Sequence, residues 1–436
     1  MTKRLNRRQM LGGALSGAAL FVSGVESSAK AKAPSEKLNL ACIGVANKGG
    51  HNVAQLKSQN IVALCDVDER FLNKSASTYS KASKHRDFRR MLDKHHKEFD
   101  AVVVSTADHT HAIATSIALS LGKHVYCEKP LTHTVHEARH VADLAERKKL
   151  ATQMGTQIHA GRNYRRVVEI VQSGALGKVT EVHTWCNKGW HGGRFSKPQP
   201  APKHLDWDLW LGPAEKRAYS TGVHPANWRR FWDYGAGTFG DMACHIMDLP
   251  FWALDLTHPT SVETKGPPVH EVGAPRWSLA HYTFPDGKHH KNLSFYWSDG
   301  GMHTDIVKST KDKGGLPLSR PGLGILFIGE KGMLFADYGS HQLLPQGKFK
   351  DFEMPPKSIA DSMGHWNEWV HACKTGATTT CNFRYSGRLT ETVLLGIVAY
   401  RSGKKFNWNG KKLSCSESEA QKFVEKKYRK GFELAS

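Results

Sequence analysis

The sequence predicts an α/β chain, with a doubly wound parallel sheet near the N-terminus and then a larger α+β unit. Three observations carry this. Short apolar runs alternate with helical segments between residues 38 and 157, the pattern of strands buried on both faces and joined by crossover helices. A glycine-rich turn follows the first run. Beyond residue 157 the runs change to period-two alternation, the mark of strands with one solvated face.

At 436 residues the chain has room for two domains, and 39% hydrophobic with 23% charged residues excludes a disordered chain. The eight cysteines, at 42, 65, 127, 186, 244, 373, 381 and 415, form no CxxC pair and no zinc-type spacing with histidine. No metal site is expected. Cys42, Cys65 and Cys127 sit in apolar runs and read as small buried hydrophobes.

The net charge is +21, and the first 33 residues contribute only six Lys/Arg against one Glu, so the excess continues along the chain. Such a surface attracts acidic partners. No basic helix or nucleic-acid module accompanies it, so nucleic acid is not expected. An anionic carbohydrate, a uronate or a sulfated sugar, is the sharper alternative to a merely solvated basic surface.

Residues 1–33 read as a targeting segment rather than as part of the fold. Lys3, Arg4, Arg7 and Arg8 precede a small apolar stretch from Met10 to Val25, and Ala29-Lys30-Ala31 offers a cleavage pattern. Asn6-Arg7-Arg8-Gln9-Met10-Leu11 resembles a twin-arginine signal. That route exports folded protein, which predicts a periplasmic location and allows a cofactor to be loaded beforehand. The stretch is too short to span a bilayer, and no second apolar span follows.

Residues 34–157 read as a dinucleotide-binding Rossmann domain. The run Leu38–Val45 is the first strand and leads into Gly44-Val45-Ala46-Asn47-Lys48-Gly49-Gly50. This is a G-x-G-x-x-G variant with Ala46 at the second glycine. Gly44 permits the tight turn, the position held by Ala46 is where the backbone approaches the pyrophosphate, and the following helix offers its N-terminal amides to phosphate. A second strand, Asn60–Asp66, ends in an acid twenty-two residues after Gly44, placed to accept from ribose hydroxyls and to repel a 2′-phosphate. NAD is therefore preferred over NADP, while nearby Arg70 keeps NADP open. Further strands are expected at Phe99–Ser105, Lys123–Cys127 and Ala151–Gln157, with a helix at His111–Leu121.

Glu128-Lys129-Pro130-Leu131 at the end of the fourth strand, with Ser105-Thr106-Ala107-Asp108-His109-Thr110-His111 upstream, resembles the Gfo/Idh/MocA oxidoreductases. The resemblance runs over nearly all of residues 38–436, including the Tyr428-Arg429-Lys430-Gly431 ending. It implies that Lys129 lies beside the nicotinamide and hydrogen-bonds the reacting hydroxyl. That role is chemically sound, since an ammonium stabilises a developing alkoxide. It also implies that Ser105, Thr106, His109 and Glu128 line the cofactor, and Gln157 is placed with them. Ala107-Asp108 stands where relatives have Pro-Asp or Pro-Asn, a departure in loop stiffness.

Residues 158–436 form the expected substrate domain. A helix Asn163–Gln172 ends at Gly174, and strands are expected at Val179–Trp185, Arg276–Phe284, Lys291–Trp297, Leu323–Gly329 and Gly332–Asp337. The resemblance implies a large open, mostly antiparallel sheet that joins copies into a homo-oligomer. Trp207, Trp210, Trp228 and Trp232 read mainly as packing residues, with one or two available to stack on a sugar.

Asp241 and His245 in Gly240-Asp241-Met242-Ala243-Cys244-His245 fall at i and i+4 of a helix and share a face. A histidine suits proton removal from a hydroxyl, and the family pattern implies that role for His245. His159, His183 and Tyr164 are further pocket candidates.

The reading is an NAD-dependent oxidoreductase of a sugar, sugar derivative or polyol. For an exported protein, a redox-neutral cycle with tightly held cofactor fits best. Two alternatives stay open: an NAD-dependent glycosidase, and a carbohydrate-binding member of the fold without catalysis.

Overall fold

The computed structural model describes residues 36–436. The predicted targeting segment lies outside the described residues.

The first sheet has six strands: β1 (Asn39–Ile43), β2 (Asn60–Cys65), β3 (Ser83–His85), β4 (Ala101–Val104), β5 (His124–Cys127) and β6 (Thr152–Met154). Their order is β3-β2-β1-β4-β5-β6, and every pairing is parallel. The helices that cross between them are α1 (Lys48–Gln55), α2 (Glu69–Thr78), α3 (Phe88–His95), α4 (Asp108–Ser120) and α5 (Val135–Lys148). β4 and β5 are buried along their whole length, as a two-sided parallel sheet requires. The order reverses between β1 and β4, so a crevice opens there at the strands' carboxyl ends. α4 begins three residues before the expected His111, because Asp108 takes the first turn, where the helix dipole favours an acid.

The second sheet has nine strands: β7 (Val179–Cys186), β8 (Ser261–Lys265), β9 (Leu279–Thr283), β10 (His290–Asp299), β11 (Leu323–Gly329), β12 (Gly332–Ala336), β13 (His341–Leu344), β14 (Phe406–Asn409) and β15 (Ser414–Cys415). Their order is β13-β12-β11-β7-β10-β9-β8-β14-β15. All pairings are antiparallel except β7 with β10. Along the chain between β6 and β8 lie, besides β7, the helices α6 (Arg162–Gln172), α7 (Trp207–Leu211) and α8 (Gly237–Ile246).

The chain then returns to the first sheet. The helix His365–Thr375 adds Trp369, Val370 and Cys373 to the core on one of its faces. The helix Phe383–Ser402 lies on α5, where Arg139 makes a bidentate pair with buried Glu391 at 2.9 Å. One core cluster runs continuously from the first sheet through α8 to β10 and this helix. The two sheets are therefore held by shared apolar burial, which fixes the groove between them.

Seven of the eight cysteines are buried, none is disulfide-bonded, and burial raises the Cys42 thiol to about 12. Among the described residues no helix is long and apolar enough to cross a membrane.

Candidate active site

The crevice between the sheets holds a cavity of about 380 Å³. Its floor is the β1–α1 turn. Gly44 has φ +79°, and a Cβ there would stand 2.5 Å from the Ser105 carbonyl oxygen. A Cβ on Gly49 would overlap the Gly44 carbonyl. Gly49 is the one predicted cofactor residue that does not line the cavity; it lets α1 pack against the turn instead. Gly44, Ala46, Asn47, Lys48, Asp66, Ser105, Thr106, His109, Glu128, Lys129 and Gln157 all line it.

Asp66 ends β2 as expected. Its carboxylate accepts from the Val45 and Asp68 backbone amides at 3.0 Å, and burial pushes its pKa up to about 6 against those bonds. Arg70, the residue that kept NADP open, turns away into a fork with Asp68 at 3.1 and 2.8 Å. It does not line the cavity. Glu128 is buried over Gly155, accepts from Asn52 at 2.9 Å and faces Lys48 at 3.7 Å. His109 binds the Trp210 carbonyl at 3.0 Å, and burial, helped by Lys426, pushes its pKa down to about 3, so the ring is neutral.

At the inner end, Lys129 Nζ donates to Asp241 twice, to Oδ1 at 2.7 Å and to the backbone oxygen at 2.6 Å. Burial opposes the ammonium, but Asp241 outweighs it and holds Lys129 above the usual lysine value. Asp241 also accepts from Arg229 Nε at 3.1 Å, and from Lys188 Nζ and Trp190 Nε1 at 2.9 Å each. Burial alone would raise this carboxyl; Lys129, Arg229 and Lys188 together drive it far below the carboxylate range.

His245 follows Asp241 by one turn of α8 and lines the same cavity. Burial, then the charge of Lys129, depresses its pKa well below the usual value, so it stands neutral. Its Nδ1 is buried without a hydrogen-bond partner, as is Gln157 Oε1.

Three sequence candidates fall elsewhere. His159 is buried between Asp248, at 2.9 Å, and the ring of Trp252. Tyr164 is a core residue donating to the His245 carbonyl at 2.9 Å. His183 stacks on Tyr296 in the second sheet and contacts Glu181 at 3.1 Å. In each case the ring packs against its neighbours and at least one polar atom finds a local partner, although His159 Nε2 has none. Among the tryptophans, Trp210 and Trp228 line the cavity, while the Trp207 and Trp232 indoles donate to backbone carbonyls at 2.8 and 3.0 Å.

Sequence reading missed Lys188, Trp190 and Arg229. They lie on a long segment with little regular structure, where no periodicity marks a facing side. Arg229 is further held over the Trp228 ring, at 4.1 Å.

The cradle fits a dinucleotide. Side-chain-free turn positions permit close approach of a pyrophosphate, Asp66 stands where a ribose would lie, and orphaned polar atoms of Gln157 and His245 face the inner end. Fold and site together define a chain with a dinucleotide-binding Rossmann sheet facing a second, larger and mostly antiparallel sheet.

Residues 32–156 match the description "Oxidoreductase family, NAD-binding Rossmann fold" and residues 160–291 "Oxidoreductase family, C-terminal alpha/beta domain". Together these cover more than half of the chain, which belongs to the Gfo/Idh/MocA oxidoreductase family. Among curated relatives, inositol 2-dehydrogenase of Salmonella typhimurium is 24% identical over 152 residues, covering 34% of this chain and 45% of that protein. Glycosyl hydrolase family 109 protein 1 of Akkermansia muciniphila is 26% identical over 158 residues, covering 33% and 32%. The chain thus spans under half the length of the curated relatives it matches. Among solved structures, the WlbA dehydrogenase of Bordetella pertussis, in complex with NADH and UDP-GlcNAcA, shares the fold at TM-score 0.59 and 16% identity, over 86% of this chain and 98% of that one. The aldose-aldose oxidoreductase of Caulobacter crescentus does so at TM-score 0.55 and 16% identity, over 85% and 100%.

Proposed function

We propose that this protein oxidises a secondary hydroxyl of an anionic sugar or sugar derivative. One observation carries the reading: a single buried carboxylate, Asp241, faces three cations, Lys129, Lys188 and Arg229, in the wall of the cofactor cavity. Glu128, facing Lys48, and Asp108 stand in the same wall, but the four cations still outnumber the carboxylates there, and an acidic group on the sugar would complete the balance.

Bound NAD supplies the hydride acceptor. The protein supplies the rest. Neutral His245 takes the hydroxyl proton, and Lys129 holds the oxygen as charge develops on it. Asp241 keeps Lys129 charged and aimed, and Arg229 and Lys188 hold the substrate's acidic group. The sugar-directed names of the relatives support the substrate class.

We extend the proposal to export by the twin-arginine route into the periplasm, a compartment without a cofactor pool to draw on. The cofactor then stays bound and is regenerated within each cycle. Copies assemble through the second sheet.

A second reading, redox-neutral glycoside cleavage, is favoured by the similarity to glycosyl hydrolase family 109 proteins.

The test uses protein purified with its cofactor, in stopped flow with methyl β-D-glucuronide and methyl β-D-glucoside. Cofactor reduction at least tenfold faster with the uronide is expected. Equal rates defeat the anionic preference. No absorbance change with any sugar of a broad panel defeats the oxidoreductase reading.

A further inference from the structure

A second cavity lies apart from the cofactor crevice and is larger, about 1370 Å³. No residue lines both. It opens between the start of α5, the loop before α8, the end of the helix Phe383–Ser402 and the C-terminal segment 414–429. Lys426 stands between the two cavities. Its ammonium donates to the carbonyl of His109, which lines the first, and meets Nδ1 of His133, which lines the second, at 3.2 Å each.

Six Lys/Arg and three carboxyl groups line the second cavity. Four of these cations are matched from outside it: Lys426 by Glu137, Lys422 by Glu419, and Lys216 and Arg429 by Asp208. Arg401 and Lys427 are left. Lys427 is exposed. Arg401 is half-buried, and among the described residues it has neither a hydrogen bond nor an ion pair. Asp233, the carboxylate that attracts it, pairs with Arg217 at 3.4 Å instead.

Arg401 lies over the Phe423 ring at 4.5 Å and the Trp232 ring at 5.3 Å, and it ends a helix whose dipole favours a cation. Those contacts use its charge and its flat face. They leave unused five N–H donors in a fixed fork, the group that grips a carboxylate through two parallel bonds. Burial also opposes the charge, pushing the pKa down to about 10, and an anion at the fork would relieve that cost.

We propose that this cavity is a binding site for an acidic oligosaccharide, with a uronate carboxylate in the Arg401 fork. The ligand class rests on the anionic-sugar reading above; the site itself requires no hydride transfer. Three features fit such a ligand. The volume exceeds the ~300–1,000 Å³ of common small-molecule sites, which leaves room for more than one sugar ring. Ser414 and Ser418 line the wall with hydroxyls that have no partner among the described residues, as hydrogen bonding to a sugar requires. Trp232, Phe423 and Tyr428 add aromatic surface for the apolar faces of sugar rings. Gripping part of a longer chain here raises the concentration of the rest near the cofactor cavity.

The test uses the full chain loaded with NAD and three probes: trigalacturonate, neutral maltotriose and citrate. Isothermal titration calorimetry is expected to show trigalacturonate binding that weakens about tenfold or more in Arg401→Met and in Lys427→Glu, and recovers in part in Arg401→Lys. Lys427 is exposed, so its variant gives a reading even where Arg401→Met fails to fold. Hydride transfer from methyl β-D-glucuronide is expected to be unchanged in both, since neither residue lines the cofactor cavity.

Equal affinity in wild type and both variants overturns the proposal. So does maltotriose or citrate binding as tightly as trigalacturonate, which marks a general sugar or anion site. A changed subunit number in Arg401→Met marks a subunit contact and overturns it too. Trigalacturonate binding lost only in Arg229→Ala places the ligand in the cofactor cavity, which overturns this site and leaves the oxidoreductase reading intact. Binding through Arg401 with no hydride transfer from any sugar removes that reading and keeps this site.

Discussion

Lys129 Nζ sits 2.7 Å from Asp241 Oδ1 and 2.6 Å from the same residue's carbonyl oxygen, a double contact between groups 112 positions apart in the chain. It ties the end of β5 in the first sheet to α8 beside the second. The Lys129 ammonium therefore has a fixed direction only when both parts of the molecule are assembled.

The pair predicts a hierarchy of damage. Asp241→Asn leaves three cations without the carboxylate they are hydrogen-bonded to, and breaking a buried pair in this way costs about 3–5 kcal/mol. Lys129→Met with Asp241→Asn is expected to be less destabilised than Asp241→Asn alone. Denaturant midpoints of the three variants measure this, and additivity would contradict it.

Lys129→Met is expected to lower the hydride-transfer rate by about 10²–10⁴-fold while NAD remains bound. Stopped-flow reduction and cofactor retention through gel filtration provide the two readings. A wild-type rate in this variant would remove Lys129 from the chemistry.

At the turn, Gly44→Ala and Gly49→Ala each bring a Cβ into a backbone carbonyl, and Gly44 also has positive φ. Overpacking of this kind costs about 1–3 kcal/mol. Both variants are expected to lose NAD affinity, read by fluorescence titration. Ala46→Gly, which restores the usual second glycine, is expected to bind NAD at least as tightly as wild type.

Asp108 carries a cost in the resting protein. Its folded pKa, about 7, lies above that of an unfolded aspartate, so the native state holds an extra proton between about pH 4 and 7. Stability contributed by this group is full below that window and is lost as pH rises through it. Asp108→Asn is therefore expected to be more stable than wild type at pH 8, by on the order of 1–3 kcal/mol, with the gain shrinking toward pH 4. Thermal melts at both pH values check the sign.

Arg229→Ala removes a donor to Asp241 Oδ1 and a guanidinium held over Trp228. With methyl β-D-glucuronide the expected result is a KM rise of about tenfold or more, with a smaller change for the neutral glucoside. Equal changes for both sugars would make Arg229 a purely structural partner of Asp241.

The sequence by itself determined the local parts. The strand–turn–helix at Gly44, the acid at Asp66, the Glu128-Lys129 corner and the Asp241/His245 spacing are all written in short windows, because backbone sterics, buried-strand periodicity and helix geometry act over a few residues. Only the tertiary structure decided which residues meet. Lys188, Trp190 and Arg229 reach Asp241 from a segment without periodicity, and Trp369 returns from far along the chain to close the first sheet's core. His159, His183 and Tyr164 are of the same residue types as the site, yet they pack elsewhere. Burial also separates two aspartates that read alike, holding Asp241 ionised and Asp108 near neutrality. The reason is that desolvation and charge–charge attraction depend on distance in space, and a sequence records separation only along the chain.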